Sequence, residues 1–440
     1  MKKIFFILTF LSCSFLLFAQ EPADALRYSW TTQSGTARQQ AIGGAMGALG
    51  GDLSATFTNP AGLGFYKTGD VVISPGMSFL NNKSTYYGTK TSDTKSNFNL
   101  GTTGFVMGWG GSKNNRKVKG TAFSIAINKI ANFNSNILYR GSQNQSSYSE
   151  KWLDEIHNNG DKDANNVASN YPFGASLAFN TYWIDTVGGG TSGNYQFQTR
   201  APIGSGLLQQ NSINARGGAT ELAFAGAGNL NDKFYYGITL GIPFLTYKRT
   251  SEFLEADATE NPDNNFDYAA YSEELKTTGV GLNLKAGIIF KPIESLRLGL
   301  AVHSPTFYSM EDKYTSAVTA NTEAYHGLLT QESTILPGGT LDFKYTLFTP
   351  YRVIASAAYV LSEIADVSKQ KGFLTMDIEY VNYKAASFHT DPGNENNDES
   401  TKNYLKELNN AIDNAYKGTV NVRLGGELKF TKYMVRLGGA

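Results

Sequence analysis

Cysteine is almost missing: the 440 residues hold one, Cys13, and it sits inside an N-terminal apolar stretch. Without that stretch the chain can form no disulfide, no thiolate nucleophile and no Cys-ligated metal. Surplus charge is also missing, since 38 Lys+Arg offset 38 Asp+Glu; a nucleic-acid binder usually carries a basic excess. Long hydrophobic runs are absent but for Ile4 to Ala19, sixteen residues broken by Thr9, Ser12 and Ser14. That is short of the ~20 a helical span needs, which excludes a helical membrane protein. The four histidines, His157, His303, His326 and His389, are scattered without metal-ligand spacing. No serine stands in a Gly-x-Ser-x-Gly context and no carboxylate pair is singled out. No catalytic residue, metal site or cofactor is therefore expected, and the chain reads as a non-enzyme.

Among the features present, the N-terminus comes first. Lys2 and Lys3, an apolar middle and Phe18-Ala19-Gln20 have the layout of a secretory signal peptide, cleaved after Ala19 or Gln20. Leu11-Ser12-Cys13 offers the alternative of lipoprotein processing at Cys13, against which the apolar run continues through Phe15, Leu16 and Leu17. Loss of Lys2 and Lys3 leaves 36 basic against 38 acidic groups, which points to no charged partner.

From Asp70 onward, apolar residues alternate with small or polar ones, the period of a strand with one greasy face. Leu374, Met376, Ile378 and Tyr380 oppose Thr375, Asp377 and Glu379; Val280, Leu282, Leu284, Ala286 and Ile288 oppose Gly281, Asn283, Lys285 and Gly287. The same division recurs at 234–242, 296–303 and 420–429. A soluble sandwich alternates too, but its strands usually run about 5–6 residues, against ~9–11 for a tilted membrane strand. Aromatic residues at Tyr86, Tyr87, Tyr139, Tyr247, Phe307, Tyr308, Tyr345, Tyr351 and Tyr383 fall near the expected strand ends, as interfacial girdles would.

Short connections at 111–117, 229–233, 291–295, 362–371 and 431–433 alternate with long ones at 82–95, 141–210, 250–265, 305–339 and 385–417. Short turns facing the periplasm and long loops facing outside give that alternation. The expected fold is an all-β transmembrane antiparallel barrel with ten complete strands and an eleventh beginning at Met434. A closed bacterial barrel has an even strand number, so the sequence is expected to be truncated at its C-terminus. The expected layout is a signal peptide over 1–19, a hatch or plug over 20–69, and a barrel over 70–440 with extracellular inserts 141–210 and 385–417.

Residues 41–51 are almost all small, and Asp52 to Leu63 follow with Asn59-Pro60-Ala61-Gly62. The glycines lack the preceding strand and the Gly-Lys-Ser/Thr of a phosphate loop; small residues suit a segment nestling against an inner wall. Pro60 fixes its own φ and restricts Asn59, making a rigid bend.

This small-residue run with Asp52, Ala55 and Asn59-Pro60-Ala61-Gly62-Leu63 resembles the FadL family of outer-membrane transporters for long-chain fatty acids and other hydrophobic compounds. Leu298 to Thr306, Thr349 to Arg352 and Ala411 to Glu427 resemble the same family, particularly its Bacteroidetes-type members. The resemblance implies a fourteen-stranded barrel, of which about eleven strands are present, a lumenal hatch gating passage through an opening in the wall, and passive uptake of a fatty acid or similar hydrophobic ligand. It also implies a monomer among outer-membrane lipid and lipopolysaccharide, with no nucleic acid. A second role is known among similar proteins, as cargo shuttle or partner-binding component of type IX secretion. Candidate gate residues are Asn59, Pro60, Ala61 and Gly62. For ligand capture, the 141–210 insert offers Trp152, Phe173, Phe179, Tyr182 and Trp183, which could equally form the insert's own core. Arg297, Asp377, Glu379, Arg423 and Glu427 are expected in the lumen, to bind a carboxylate headgroup or pair with one another. A helix is expected over 400–418, with Ser400 as N-cap and its apolar face on the barrel rim.

Overall fold

The computed structural model describes residues 21–111, 117–187, 193–361, 371–393, 398–430 and 432–440. Residues 1–20, where a leader with Lys2, Lys3 and Cys13 is expected, and the connection at 362–370 lie outside the described residues, as does most of 111–117.

The described chain opens with short helices. In α1 (Pro22–Ser29) the Glu21 backbone N–H donates to the Asp24 carboxylate at 3.0 Å, closing a capping box before the proline. In α2 (Ala37–Ala41) the Thr36 hydroxyl caps the Gln39 N–H at 3.1 Å, then donates to the buried carboxylate of Asp52. α3 (Ala55–Thr58) runs into a tight 3₁₀ turn over Pro60–Phe65, entered through Asn59, whose side-chain oxygen accepts the Ala61 N–H at 3.2 Å.

Strands follow: β1 (Asp70–Val72), β2 (Pro75–Tyr86), β3 (Thr89–Leu100), β4 (Thr103–Gly110), β5 (Val118–Asn132) and β6 (Ser135–Gln143). An insert holds α4 (Glu150–Asn158), α5 (Ala164–Asn170), α6 (Ala175–Asn180), β7 (Ile184–Thr186) and β8 (Phe197–Thr199). The longest strands come next, β9 (Leu207–Leu230), β10 (Phe234–Asp257) and β11 (Tyr268–Ile293). Then come β12 (Leu296–His303), β13 (Phe307–Asn321), β14 (Leu328–Glu332), β15 (Leu341–Phe348), β16 (Arg352–Leu361), β17 (Gly372–Asn382), β18 (Ser387–Thr390), α7 (Glu399–Ala415), β19 (Gly418–Lys429) and β20 (Met434–Gly439).

The main ladder is antiparallel and runs β1-β4-β5-β9-β10-β11-β12-β16-β17-β19-β20. The chain traverses it ten times from β1 to β19, and β20 begins the next crossing. The ladder curls around the N-terminal helices: backbone at Tyr66 abuts β4 at Gly108, near one end, while Ile42 abuts β20 at Gly438, at the other. The N-terminal segment is thus a plug inside a β-barrel wall.

One face of each strand points at the plug and the other outward. On β10, Phe234, Tyr236, Ile238, Leu240 and Phe244 are exposed, while Tyr235, Gly237, Thr239, Gly241 and Leu245 are buried. The span from Phe234 to Phe244 at ~3.3 Å rise and ~40° tilt gives an apolar band roughly 25 Å tall, the height such barrels present to hydrocarbon. Beyond it the strand runs to Asp257 with Thr246, Lys248, Thr250 and Glu252 on the same outer face.

That extension overturns two expectations. Tyr247, Tyr308 and Tyr345 are not girdle residues: they sit inside long strands on the plug-facing side, at 5%, 2% and 0% exposure. Segments 82–95 and 305–339 are not long loops: β2 and β3 continue to a tight turn at Tyr87 and Gly88, where φ is 43° and 80°, and β13 and β14 occupy most of the second segment. Above the band water wets both faces, so strands there need no apolar alternation.

The second insert also differs in detail. Asp398, not Ser400, caps α7: its carboxylate accepts the Thr401 N–H at 2.8 Å and the Ser400 hydroxyl at 2.9 Å. The buried face of α7, Leu405, Leu408 and Ile412, joins Ala25 and Tyr28 of α1 and Phe388 of β18 in one cluster. Tyr416 donates to the Pro22 carbonyl at 3.1 Å. The helix therefore rests on the plug as well as on the barrel rim.

Candidate functional site: the plug, its seat and the outer insert

The plug is moored by close approach to glycines of the wall. At Gly108 of β4, Gly237 of β10, Gly287 of β11, Gly299 of β12, Gly425 of β19 and Gly438 of β20, an added methyl would collide with plug atoms. Their respective plug neighbours are Tyr66–Lys67, Pro60–Ala61, Asn59–Pro60, Gly47–Ala48, Ile42 and Ile42–Gly43. Between β19 and β12, Asp377 of β17 accepts the Gly47 N–H at 3.0 Å and Ser356 of β16 faces Gly47. From residue 42 to 67 the plug thus follows the inner circumference from β20 back to β4, and wall glycines make the room.

Hydrogen bonds fix the same seat. Asn59, 1% exposed, donates to the Gly47 carbonyl at 2.6 Å within the plug and to the Ile288 carbonyl of the wall at 3.2 Å. Thr239 donates to the Thr56 carbonyl at 2.9 Å, Thr56 and Ser124 share a hydroxyl bond of 2.9 Å, and His303 Nε2 meets the Thr58 carbonyl at 2.9 Å. Arg297 reaches the Leu49 carbonyl and lies 4.5 Å from the Phe65 ring centroid.

The five lumen charges expected from sequence all lie on the plug-facing side and divide by task. Arg297 and Asp377 clamp the plug. Glu379 stands between Arg423 and Arg352, the latter 3.4 Å away. Glu427 pairs with Arg436 at 2.7 Å and Lys429 at 3.7 Å. Sequence reading missed Glu221, which pairs with Lys285, and gave no lumen role to Arg352, which binds the Ser29 carbonyl at 2.7 Å and the Thr31 hydroxyl at 2.6 Å. Glu221 was legible: it shares the inward parity of Ala219, Ala223 and Ala225.

Above the plug these groups bound a cavity of about 650 Å³, crossed by the segment from Trp30 to Ser34 and lined by Asn128, Glu221, Lys285, His303, Arg352 and Glu379 among others. The wall beside it changes character. β2 and β3 form a separate two-stranded sheet, and β3 meets β6 without a backbone ladder. Side chains bridge this seam: Asn82 donates to Ser135 Oγ at 3.1 Å, Lys95 to Asn136 Oδ1 at 3.3 Å, and Asn136 to the Thr94 carbonyl at 3.3 Å.

The outer insert separates the five aromatic residues singled out for capture. Trp183 is fully buried and Trp152 nearly so, their rings 5.1 Å apart in a core with Ile156, Leu177 and Ile184. For these two, the core alternative describes the structure, because a large ring in a small insert has nowhere drier to go. Phe179 is partly buried against Phe197. Tyr182, at φ 59°, stacks on His326 at 3.8 Å on the rim. Phe173 turns inward toward Tyr314 and, with Trp152, Tyr171 and Tyr271, walls an outer cavity of about 450 Å³. The insert is rooted by Glu255, whose carboxylate accepts the Tyr148 N–H at 3.0 Å and Gln209 at 2.7 Å.

The arrangement defines a class: a β-barrel wall with an apolar outer band, stoppered by its own N-terminal segment beneath a charged lumenal cavity. The chain matches no family model and no curated protein by sequence. In structure it is similar to the CymD monoaromatic hydrocarbon channel, at 10% identity over 92% of this chain and 82% of that one, with a TM-score of 0.43. It is similar to the P. putida toluene transporter TodX at 10% identity over 92% and 83%, TM-score 0.44. It is also similar to a Pseudomonas aeruginosa FadL homologue at 11% identity over 92% and 88%, TM-score 0.34.

Proposed function

We propose that this chain is an outer-membrane barrel of the FadL type that admits hydrophobic small molecules by passive passage, long-chain fatty acids or compounds of similar size among them. The observation that carries the reading is the plug's seat: a stopper fitted to the inner wall under a cavity of about 650 Å³ has a use only where something must enter and not run straight through. A ligand would dock at the aromatic outer insert and descend into the lumenal cavity. It would then leave sideways where β3 and β6 are joined by side chains instead of a ladder. Flow without an energy source follows the difference in affinity between successive sites.

The test is uptake of labelled fatty acid and labelled toluene by Gram-negative cells with and without the protein at equal surface expression. Accelerated uptake of either hydrophobe supports the reading. Equal uptake of both in the presence and absence of the protein overturns it, and copurification with a secreted protein would then favour the cargo-shuttle role.

A further inference from the structure

The outer cavity is more selective in its chemistry than an apolar capture surface needs to be. It lies above the apolar band, between α4 and the Phe173–Gly174 turn on one side and β10, β11 and β13 on the other. Its walls are rings: Trp152, Tyr171, Phe173, Tyr271 and Tyr314. Three carboxylates also line it, Glu21, Glu155 and Glu273, with Lys151 and Arg249 as the bases.

These charges are not equally committed. Arg249 Nη2 is 2.8 Å from Glu273, which also accepts the Tyr314 hydroxyl at 3.0 Å, so that pair is internally satisfied. Glu21 accepts from the first turn of α1. Lys151 is exposed and stands 5.6 Å from the Tyr148 ring centroid. Glu155 differs: it is half-buried, and among the described residues Lys151 of the same cavity is the base that acts on its carboxylate, without a hydrogen bond or close ion pair between them. Burial raises its pKa above the ordinary value, with Lys151 pulling the other way. A half-buried carboxylate at the edge of a ring-lined cavity is open to a donor from outside the chain.

The field of the insert has the matching sign. Residues 144–206 carry six carboxylates (Glu150, Asp154, Glu155, Asp161, Asp163, Asp185) against three bases (Lys151, Lys162, Arg200). Rings present negative faces to a cation, and a cavity walled by them holds an ammonium better than a neutral group of the same shape. A carboxylate ligand would meet the opposite: repulsion from Glu155 and the surrounding field, with Arg249 already paired.

We propose that the outer cavity is a binding site for amphiphilic organic cations, ring or chain compounds bearing a protonated amine that docks on Glu155 at the wall of rings. This rests on the reading of the insert as the ligand's first station, and it sharpens that reading, since fatty acids would not be the preferred occupant. Glu21 also brings the cap of α1 to the cavity edge, so an occupant would touch the plug's first helix directly.

The experiment uses the purified full-length protein and three probes of one shape: 2-phenylethylamine, 2-phenylethanol and 3-phenylpropanoate, titrated calorimetrically at pH 7. The amine is expected to bind about tenfold more tightly than the alcohol, with the propanoate weakest. Glu155→Gln should reduce that amine preference to about twofold and leave the alcohol unchanged; Trp152→Phe, which keeps the core filled, should weaken the amine more than the alcohol. Equal binding of all three probes, a preference for the propanoate, or an unchanged preference in Glu155→Gln overturns the proposal. Whole-cell uptake of labelled toluene by Glu155→Gln separates the two levels. Normal uptake with lost amine preference supports the cation site and leaves the transport reading intact. Absent uptake in the wild type alongside retained amine preference refutes transport alone.

Discussion

The side-chain amide of Asn59 in the plug donates to the backbone carbonyl of Ile288 in the wall at 3.2 Å and to that of Gly47 at 2.6 Å. One carboxamide thus ties the small-residue run at Gly47 to a strand 229 positions away from Asn59. Asn59→Ala leaves two buried carbonyls without that donor, at a cost of about 1–3 kcal/mol each at most. The variant should assemble its wall but expose the plug. Limited proteolysis of the folded protein should cut between residues 40 and 60 faster than in the wild type; an unchanged cleavage rate would refute the mooring.

Gly287→Ala and Gly237→Ala place a methyl against Asn59 and Pro60, and overpacking of this kind costs typically ~1–3 kcal/mol. Gly226→Ala, on β9 with open space before it, is the control and should be nearly neutral. Thermal unfolding followed by mobility on gels should rank the three in that order. A Gly226→Ala variant as unstable as Gly287→Ala would show that strand propensity, not the plug, sets the requirement for glycine.

Substitutions in the outer insert should divide by burial. Trp183→Ala removes a fully buried ring and should cost the insert about 3–5 kcal/mol, so any loss of uptake would come with protease sensitivity around residues 144–206. Phe179→Ser acts on a half-buried ring at the flank and should leave the insert resistant. Proteolysis and uptake measured on the same preparations check both; a Trp183→Ala insert as resistant as wild type would contradict the core assignment.

Asp398 gives α7 a pH dependence. The Thr401 N–H and the Thr401 and Ser400 side chains hold its carboxyl below the ordinary value. A carboxylate whose folded pKa is depressed stabilises above its unfolded value of ~3.9, and that contribution is lost as pH falls through the lower folded value. Amide hydrogen exchange in α7 should therefore be slow at pH 5 and accelerate beyond the intrinsic trend toward pH 2. Asp398→Asn, still a cap, should flatten the profile. Equal profiles in both proteins would remove the role.

How much of this was legible beforehand depends on what each residue faces. Alternation in Leu374 to Tyr380 placed the apolar side outward correctly because lipid and plug are opposite environments, and period two separates them. Where β2 and β3 rise into water, Asn81, Asn82, Lys83 and Ser84 carry no such contrast, and a strand reads as a loop. Parity would have moved Tyr247 inside, since it shares the face of Tyr235 and Gly237; the miss came from judging strand length by membrane thickness. Gly237, Gly287 and Gly299 were visible on polar faces, but a wet lumen explains them as readily as a plug does. Their partners at Ala61, Asn59 and Gly47 are far off in sequence, and nothing local marks the pairing.

The path of residues 42–67 around the inside of the wall also constrains how the molecule can be built. Contact between Ile42 and Gly438 joins segments synthesised nearly a whole chain apart, and loops of that length close slowly. Because the plug touches strands from β20 back to β4, no partial sheet offers it a complete resting place. Residues 42–67 must wait, unfolded or chaperoned, until β19 and β20 arrive. The segment is then seated only after the wall that holds it exists, so a defect at these contacts should be seen as a loose plug in an assembled wall.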